Sequence, residues 1–210
     1  FLKILADLDL EGEGIDVSRE SLVIARKRLK EAKKVSVKFG DIYTYKPRTK
    51  YDVVFCFETF EHLKDDIKAA KKIFQALNRI TNKAFLSWSI ERWWSKTDEI
   101  KGHYRRYEKG ELERKLEYTG FMVSSIYSYG FPFLSLLRKL SNSGRFIKYD
   151  VQHLNQDARG KKSSIQQEYN PKLRFIMNPI LLFPFFKIMD LFIKTDLGFG
   201  YIVLARKPKT

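Results

Sequence analysis

Tyr51-Asp-Val-Val-Phe-Cys-Phe-Glu-Thr-Phe-Glu-His-Leu63 is the stretch on which the reading of this chain turns. From Tyr51 to Phe57 it is apolar after Asp52, as expected for a strand buried on both faces of a sheet. Glu58 follows, and then Leu63, Ile67, Ala70, Phe74 and Leu77 recur on one helical stripe. A strand, a carboxylate at its end and a helix after it form one unit of an α/β architecture. Upstream the pattern occurs again. Gly12 to Val17 is a short strand carrying Asp16 near its end, and Ser18 caps a helix whose first turn holds Glu20. Leu22, Ala25, Leu29 and Ala32 give that helix its apolar spacing, and Val35 to Phe39 is a strand closed by Gly40-Asp41.

Downstream, Ala84 to Ile90 reads as a strand, Glu111 to Tyr118 as a helix ended by Gly120, and Phe121 to Tyr129 and Tyr201 to Ala205 as strands. Phe1 to Leu8 reads as the end of an amphipathic helix. Strands alternating with helices predict a parallel sheet covered on both faces, with ligands beyond the carboxyl ends of the strands. Asp16, Asp41 and Glu58 all fall there. Residues 131–198 break the rhythm with Pro132, Asn142, Gly144, Gly160, Pro171, Pro179 and Pro184 and with a polar run from Asp150 to Asn170. The expectation is one domain over 1–210, with 131–198 a helical insertion or lid before the last strand.

Composition narrows the class. Hydrophobic residues at 44% and charged residues at 31% belong to a globular chain. Lys and Arg number 40 against 25 acids, a net charge of +15, which favours anionic partners unless the lysines merely solvate helix faces. Cys56 is the single cysteine, so an internal disulfide is excluded and a reducing, cytoplasmic setting is expected.

Four segments in order resemble class I S-adenosylmethionine-dependent methyltransferases: Gly14-Ile-Asp-Val-Ser18, Gly40-Asp41-Ile42, the Tyr51–Leu63 stretch, and Gly102-His-Tyr-Arg-Arg-Tyr107 with Glu111-Leu112 and Gly120-Phe121. The resemblance implies a Rossmann-like sheet, mostly parallel with its last strand antiparallel. It also implies a first strand and glycine-rich loop that would stand before Phe1, and S-adenosylmethionine as cofactor. By the same resemblance Asp16 accepts hydrogen bonds from the ribose hydroxyls, Val17 packs on the adenine, Asp41 accepts from the adenine amino group and Ile42 brackets the ring. Phe57 and Glu58 lie beside the cofactor. The competing reading makes Asp16 and Asp41 simple initiators of turns or helices.

On the substrate side the resemblance places His62, Trp88, Arg106 and Tyr107, with His103 as a candidate general base. The alternative is that His103, Arg105, Arg106 and Tyr107 order the loop, and that Trp88, Trp93 and Trp94 only pack. Glu108 stands where the family commonly has Ser or Thr, and Glu111 is read as the third helical position. No metal is expected. The alternative is a cation held by Glu58, Glu61 and His62, which share one face if the helix begins early; Glu-x-x-Glu-His resembles such sites in ubiquinone-biosynthesis and small-RNA methyltransferases.

The favoured substrate is a small apolar or amphiphilic molecule. Phe131 to Leu137 and Phe175 to Phe186 are rich in Phe and Leu, and Arg138, Lys139, Lys172, Arg174 and Lys187 flank them, an arrangement suited to peripheral contact with an acidic membrane. The rivals are an RNA methyltransferase and a non-catalytic binding domain of the same fold.

Overall fold

The computed structural model describes residues 1–90, 94–136, 158 and 179–208. Two compact units meet in sequence at Lys46 and Pro47. In the first, α1 (Leu2–Asp7) leads into β1 (Gly12–Asp16), α2 (Arg19–Arg28) and β2 (Val35–Phe39). β1 and β2 pair in parallel, Gly12 opposite Val35 and Asp16 opposite Phe39. A parallel pair needs a crossover, which α2 supplies. Ser18 starts that helix by accepting the Ser21 N–H at 3.1 Å, and its side chain is buried. Leu22, Leu29 and Val35 form the small core. Gly14 lets α1 lie close on β1, because a Cβ there would meet Leu2 Cδ1 at 2.6 Å.

The second unit contains β3 (Val53–Cys56), a 3₁₀ turn (Phe60–His62), α3 (Asp66–Ala76), β4 (Lys83–Ser89), α4 (Lys96–Lys101), α5 (Glu111–Tyr118), β5 (Met122–Tyr129), α6 (Pro179–Asp190) and β6 (Gly200–Arg206). Its sheet runs β3-β4-β6-β5. β3 and β4 are parallel, and β6 is antiparallel to both β4 and β5. This is the expected sheet, with the last strand reversed and a helix before it. Leu86, Leu112, Leu116 and Val203 are fully buried at its centre.

Three local expectations need correction. β3 is not buried on both faces: among the described strands it pairs only with β4, and Phe55 is 37% exposed. An apolar run cannot by itself tell an edge strand from a central one. The helix after β3 does not begin early. Glu58 sits at φ 47°, a 3₁₀ turn follows, and α3 starts only at Asp66, capped by Asp65, which accepts the Lys68 N–H at 2.8 Å. Finally, Glu111 opens α5 instead of standing third in it; Gly110 is the N-cap, and Glu111 reaches back to accept the Glu108 N–H at 3.3 Å.

The insertion is described at 131–136, 158 and 179–198. Trp93, Arg138, Lys139, Asn142, Gly144, Gly160, Pro171, Lys172 and Arg174 lie outside the described residues, as does nearly all of the Asp150–Asn170 run. Among the described residues no helix is long and apolar enough to cross a membrane.

Candidate active site

In the first unit, Asp16 leaves β1 with Oδ1 accepting the Ser18 N–H at 2.7 Å, and Asp41 accepts the Tyr43 N–H through Oδ1 at 2.8 Å. Both are short Asx-type turns, so the turn-forming reading holds. It does not exhaust either residue. In each carboxylate Oδ2 takes no hydrogen bond from a described residue, and it keeps lone pairs for hydroxyl or amino donors. Val17, directly after Asp16, is 39% exposed, so an apolar surface lies next to the carboxylate. Ile42 is half-buried in the turn after Asp41. These residues suit the polar and apolar parts of an adenosine moiety.

In the second unit, Glu58 follows the exposed Phe57 at the end of β3. Three hydroxyls donate to its carboxylate. Ser87 and Tyr129 reach Oε1 at 3.1 and 2.5 Å, and Ser89 reaches Oε2 at 3.0 Å. The Glu58 N–H donates back to Ser87 Oγ at 3.0 Å. Ser87 and Ser89 are two apart on β4 and therefore share a face. Beside them Glu61 is fully buried, its Oε1 3.5 Å from Ser89 Oγ. Burial, and then the charge of Glu58, push the Glu61 carboxyl well above the usual carboxylate range. Burial and the Glu58 carboxylate likewise raise the Tyr129 phenol.

Asp98 gathers the loop after β4. It is completely buried, and its Oδ1 accepts Arg106 Nε and Nη2, both at 2.7 Å. Oδ2 accepts the Ser95 N–H and Oγ at 2.8 and 3.0 Å, closing a capping box on α4. His103 Nδ1 lies 2.8 Å from Oδ1. Burial opposes the charge of Asp98, but His103 and Arg106 outweigh it and hold the carboxyl below its ordinary range. Arg106 also donates to Ile90 O at 3.2 Å, and its guanidinium stacks 5.1 Å from the Phe199 ring. Its cationic donors thus face the protein interior, as the loop-ordering reading requires.

His103 is buried, and burial lowers its pKa against the opposing pull of Asp98, so it is neutral near pH 7. Its Nδ1 edge faces Asp98. The His62 ring meets the His103 ring edge-on, centroids 4.4 Å apart. Burial, and then the neighbouring His103 and Lys101, lower His62 to about 3.

Tyr107 is buried too. Its hydroxyl donates to Asp66 Oδ2 at 2.9 Å, an oxygen that also takes Lys115 Nζ at 2.8 Å and Arg105 Nη1 at 3.1 Å. Trp88 packs between Tyr107 and Tyr201, centroids 6.3 and 6.2 Å away. By strand alternation it points away from Ser87 and Ser89. Trp94 is exposed.

Glu58, Glu61 and His62 do not form a ligand set on one face, because Glu58 precedes the 3₁₀ turn. Among the described residues no three His, Cys, Asp or Glu side chains are grouped to hold a metal ion. The sequence reasoning missed Ser87, Ser89, Tyr129, Asp98 and Asp66. Serines at alternate positions of a strand, both facing the strand that ends in Glu58, were a usable signal. For Asp98 the spacing Ser95-x-x-Asp98 signalled a capping box, but not its bonds to His103 and Arg106 across the loop.

Residues 1–79 match the family described as methyltransferase domain. No curated protein sequence matches. Among solved structures, the [4+2]-cyclase SpnF is similar with a TM-score of 0.59 at 17% identity, over 100% of this chain and 71% of that one. A phosphoethanolamine N-methyltransferase 2 from Haemonchus contortus, in complex with S-adenosyl-L-methionine, gives 0.57 at 18% identity over 98% and 45%. A magnesium protoporphyrin IX methyltransferase from Synechocystis PCC 6803 with bound SAH gives 0.51 at 16% over 62% and 63%. The chain shares the fold of these structures, and its residues 1–79 match the methyltransferase-domain family.

Proposed function

We propose that the protein transfers a methyl group from S-adenosylmethionine to a small apolar or amphiphilic molecule. The observation that carries this reading is Asp16. It is a strand-end carboxylate, oriented through Oδ1 and followed by the exposed Val17, inside the segment that matches the methyltransferase domain. Bound at this end of the strands, the cofactor supplies a methyl group on a sulfonium, open to in-line displacement. The protein's task is to align the acceptor and to take up a proton where the acceptor carries one. Asp16 and Asp41 hold the adenosine end. In the second unit Glu58, exposed and fixed by three hydroxyls, offers a negatively charged edge to a ligand. His103, neutral and beside Asp98, is the candidate base for the acceptor's proton. Arg106 and Tyr107 act at a distance from the reaction by fixing the loop that carries His103.

The exposed phenylalanines of the insertion support an apolar acceptor. The net charge of +15 supports the RNA alternative, but the basic residues are dispersed along the sequence and no ordered RNA-binding module stands out in it. Calorimetry with S-adenosylmethionine tests the cofactor assignment. Asp16→Ala should weaken binding at least about tenfold, because two charge-assisted hydrogen bonds are lost, while the thermal transition stays in place. Equal affinity in the variant and the parent would refute the assignment.

A further inference from the structure

α6 is apolar in sequence, and its side chains from Phe183 to Ile188 are exposed. Phe183, Phe185, Phe186 and Ile188 are 57%, 43%, 47% and 42% exposed. Successive helical residues turn by about 100°. From Phe183 as origin, Ile188, Phe185 and Phe186 therefore point at about 140°, 200° and 300°. Exposed apolar side chains thus surround the helix and form no single stripe. Lys187 and Asp190, at about 40° and 340°, form a narrow polar edge beside Phe183, and the rest of the circumference is apolar. The apolar surface continues onto residues 133–136. Phe133 packs edge-on against Phe185 at 4.6 Å, and Leu134 and Leu136 are exposed beside it.

The helix is held at its C-terminal side. The Ser128 N–H donates to Ile193 O at 2.7 Å, and Phe131 meets Phe192 at 4.8 Å, so the strand β5 fixes the stem of this projection.

We infer that α6, with the Phe133–Leu136 turn, inserts into the interfacial layer of an anionic lipid bilayer. A rigid protein partner would cover one side of such a helix and leave the other side in water. Fluid acyl chains close around the whole apolar arc and leave the Lys187–Asp190 edge among the headgroups. At twelve residues, or about 18 Å, α6 is too short for a hydrocarbon core of about 30 Å and suits a position in the plane of the interface. The charge selects the lipid. Between Phe131 and Gly198 the sequence holds eleven lysines and arginines against five acids. Lys187 lies within α6, 5.7 Å over the Phe183 ring, where its stem can run along the apolar layer while the ammonium stays at headgroup level. This inference extends the amphiphile reading, because a substrate dissolved in the bilayer would be met at its source, but lipid binding is measured with no substrate present.

Co-sedimentation with vesicles of phosphatidylglycerol and phosphatidylcholine, against phosphatidylcholine alone, tests it. The full chain should bind the anionic vesicles, bind less as salt rises, and bind the neutral ones weakly. Phe183→Ser/Phe186→Ser/Ile188→Ser should lower vesicle affinity by about tenfold or more while leaving thermal unfolding unchanged. Should that variant unfold, Phe183→Trp in the otherwise intact chain gives the answer. Its added emission should shift to the blue on anionic vesicles and be quenched by brominated acyl chains. The inference is overturned if the full chain ignores anionic vesicles or if the folded triple variant binds as well as the parent. It is also overturned if the emission added by Phe183→Trp is unmoved, or if the exposed face instead drives concentration-dependent self-association with no lipid binding. A lack of methyl transfer to any amphiphile would sink the function proposed above and leave this result intact.

Discussion

Asp98 and Glu58 are both carboxylates of the second unit, and they are held by opposite chemistry. Asp98 is sealed from water and saturated by a guanidinium, an imidazole and a helix cap. Glu58 stands at an exposed position and is held by three neutral hydroxyls. Cationic partners cancel a buried charge and leave it nothing further to attract. Hydroxyl donors orient a carboxylate without cancelling it. The first arrangement makes a strut and the second a binding group, and the two can be separated by experiment.

The largest effect should come from Asp98→Asn. It leaves the Arg106 guanidinium buried without an anion, and breaking such a pair costs about 3 kcal/mol or more. Urea unfolding should show the loss as a lower midpoint at unchanged slope. The pH dependence has a definite sign. Because the folded carboxyl titrates below its ordinary value of 3.8, its stabilisation is whole above that pH and is lost as pH falls toward the lower folded value. Asp98→Asn should flatten that acid limb. An unchanged limb would mean that Asp98 is not the strut described.

Next in size is Tyr107→Phe. It removes one hydroxyl from Asp66, which keeps Lys115 and Arg105. A loss of about 1.5 kcal/mol is expected, again in stability and with little change in cofactor affinity. A variant that folds as firmly as the parent but loses turnover would return Tyr107 to the substrate side.

The smallest change in stability should come from Tyr129→Phe, under about 1 kcal/mol, because Glu58 keeps Ser87 and Ser89 and is open to water. Its effect on function should be the larger one, a fall of about tenfold in cofactor affinity or turnover, as expected when one hydrogen bond to a charged group is lost. If Tyr129→Phe destabilised the fold as much as Asp98→Asn without touching binding, the contrast between the two carboxylates would collapse.

What the sequence disclosed follows the range of the interactions. Ser18 as a cap, Asp16 at the end of β1 and α5 over Glu111–Tyr118 are set by residues within one turn of each other, and pattern alone located them. The edge position of β3 depends on which strands lie beside it, and neighbours are not written in the run Val53–Cys56. The early helix start that the alternative metal reading needed, to align Glu58, Glu61 and His62, is missing for a related reason. The backbone at Glu58 turns to φ 47°, where Ser87 and Ser89 from another strand fix it. Arg106 looked like a ligand for a substrate anion because its own anion, Asp98, sits eight residues away across a loop.

β6 lies between β4 and β5, so residues 200–206 supply the hydrogen-bonding partner that both neighbours lack without it. During synthesis β4 and β5 therefore leave the ribosome as two strands with nothing to join them. They must wait for some seventy further residues, Gly130 to Phe199, before the ladder can close. In that interval each presents an unpaired edge, the surface on which nascent chains aggregate or recruit chaperones. The final strand acts as a keystone: it makes this half of the molecule a late, all-or-none folding event, and a chain released before Gly200 should be met by the protein-quality machinery as an unfinished sheet.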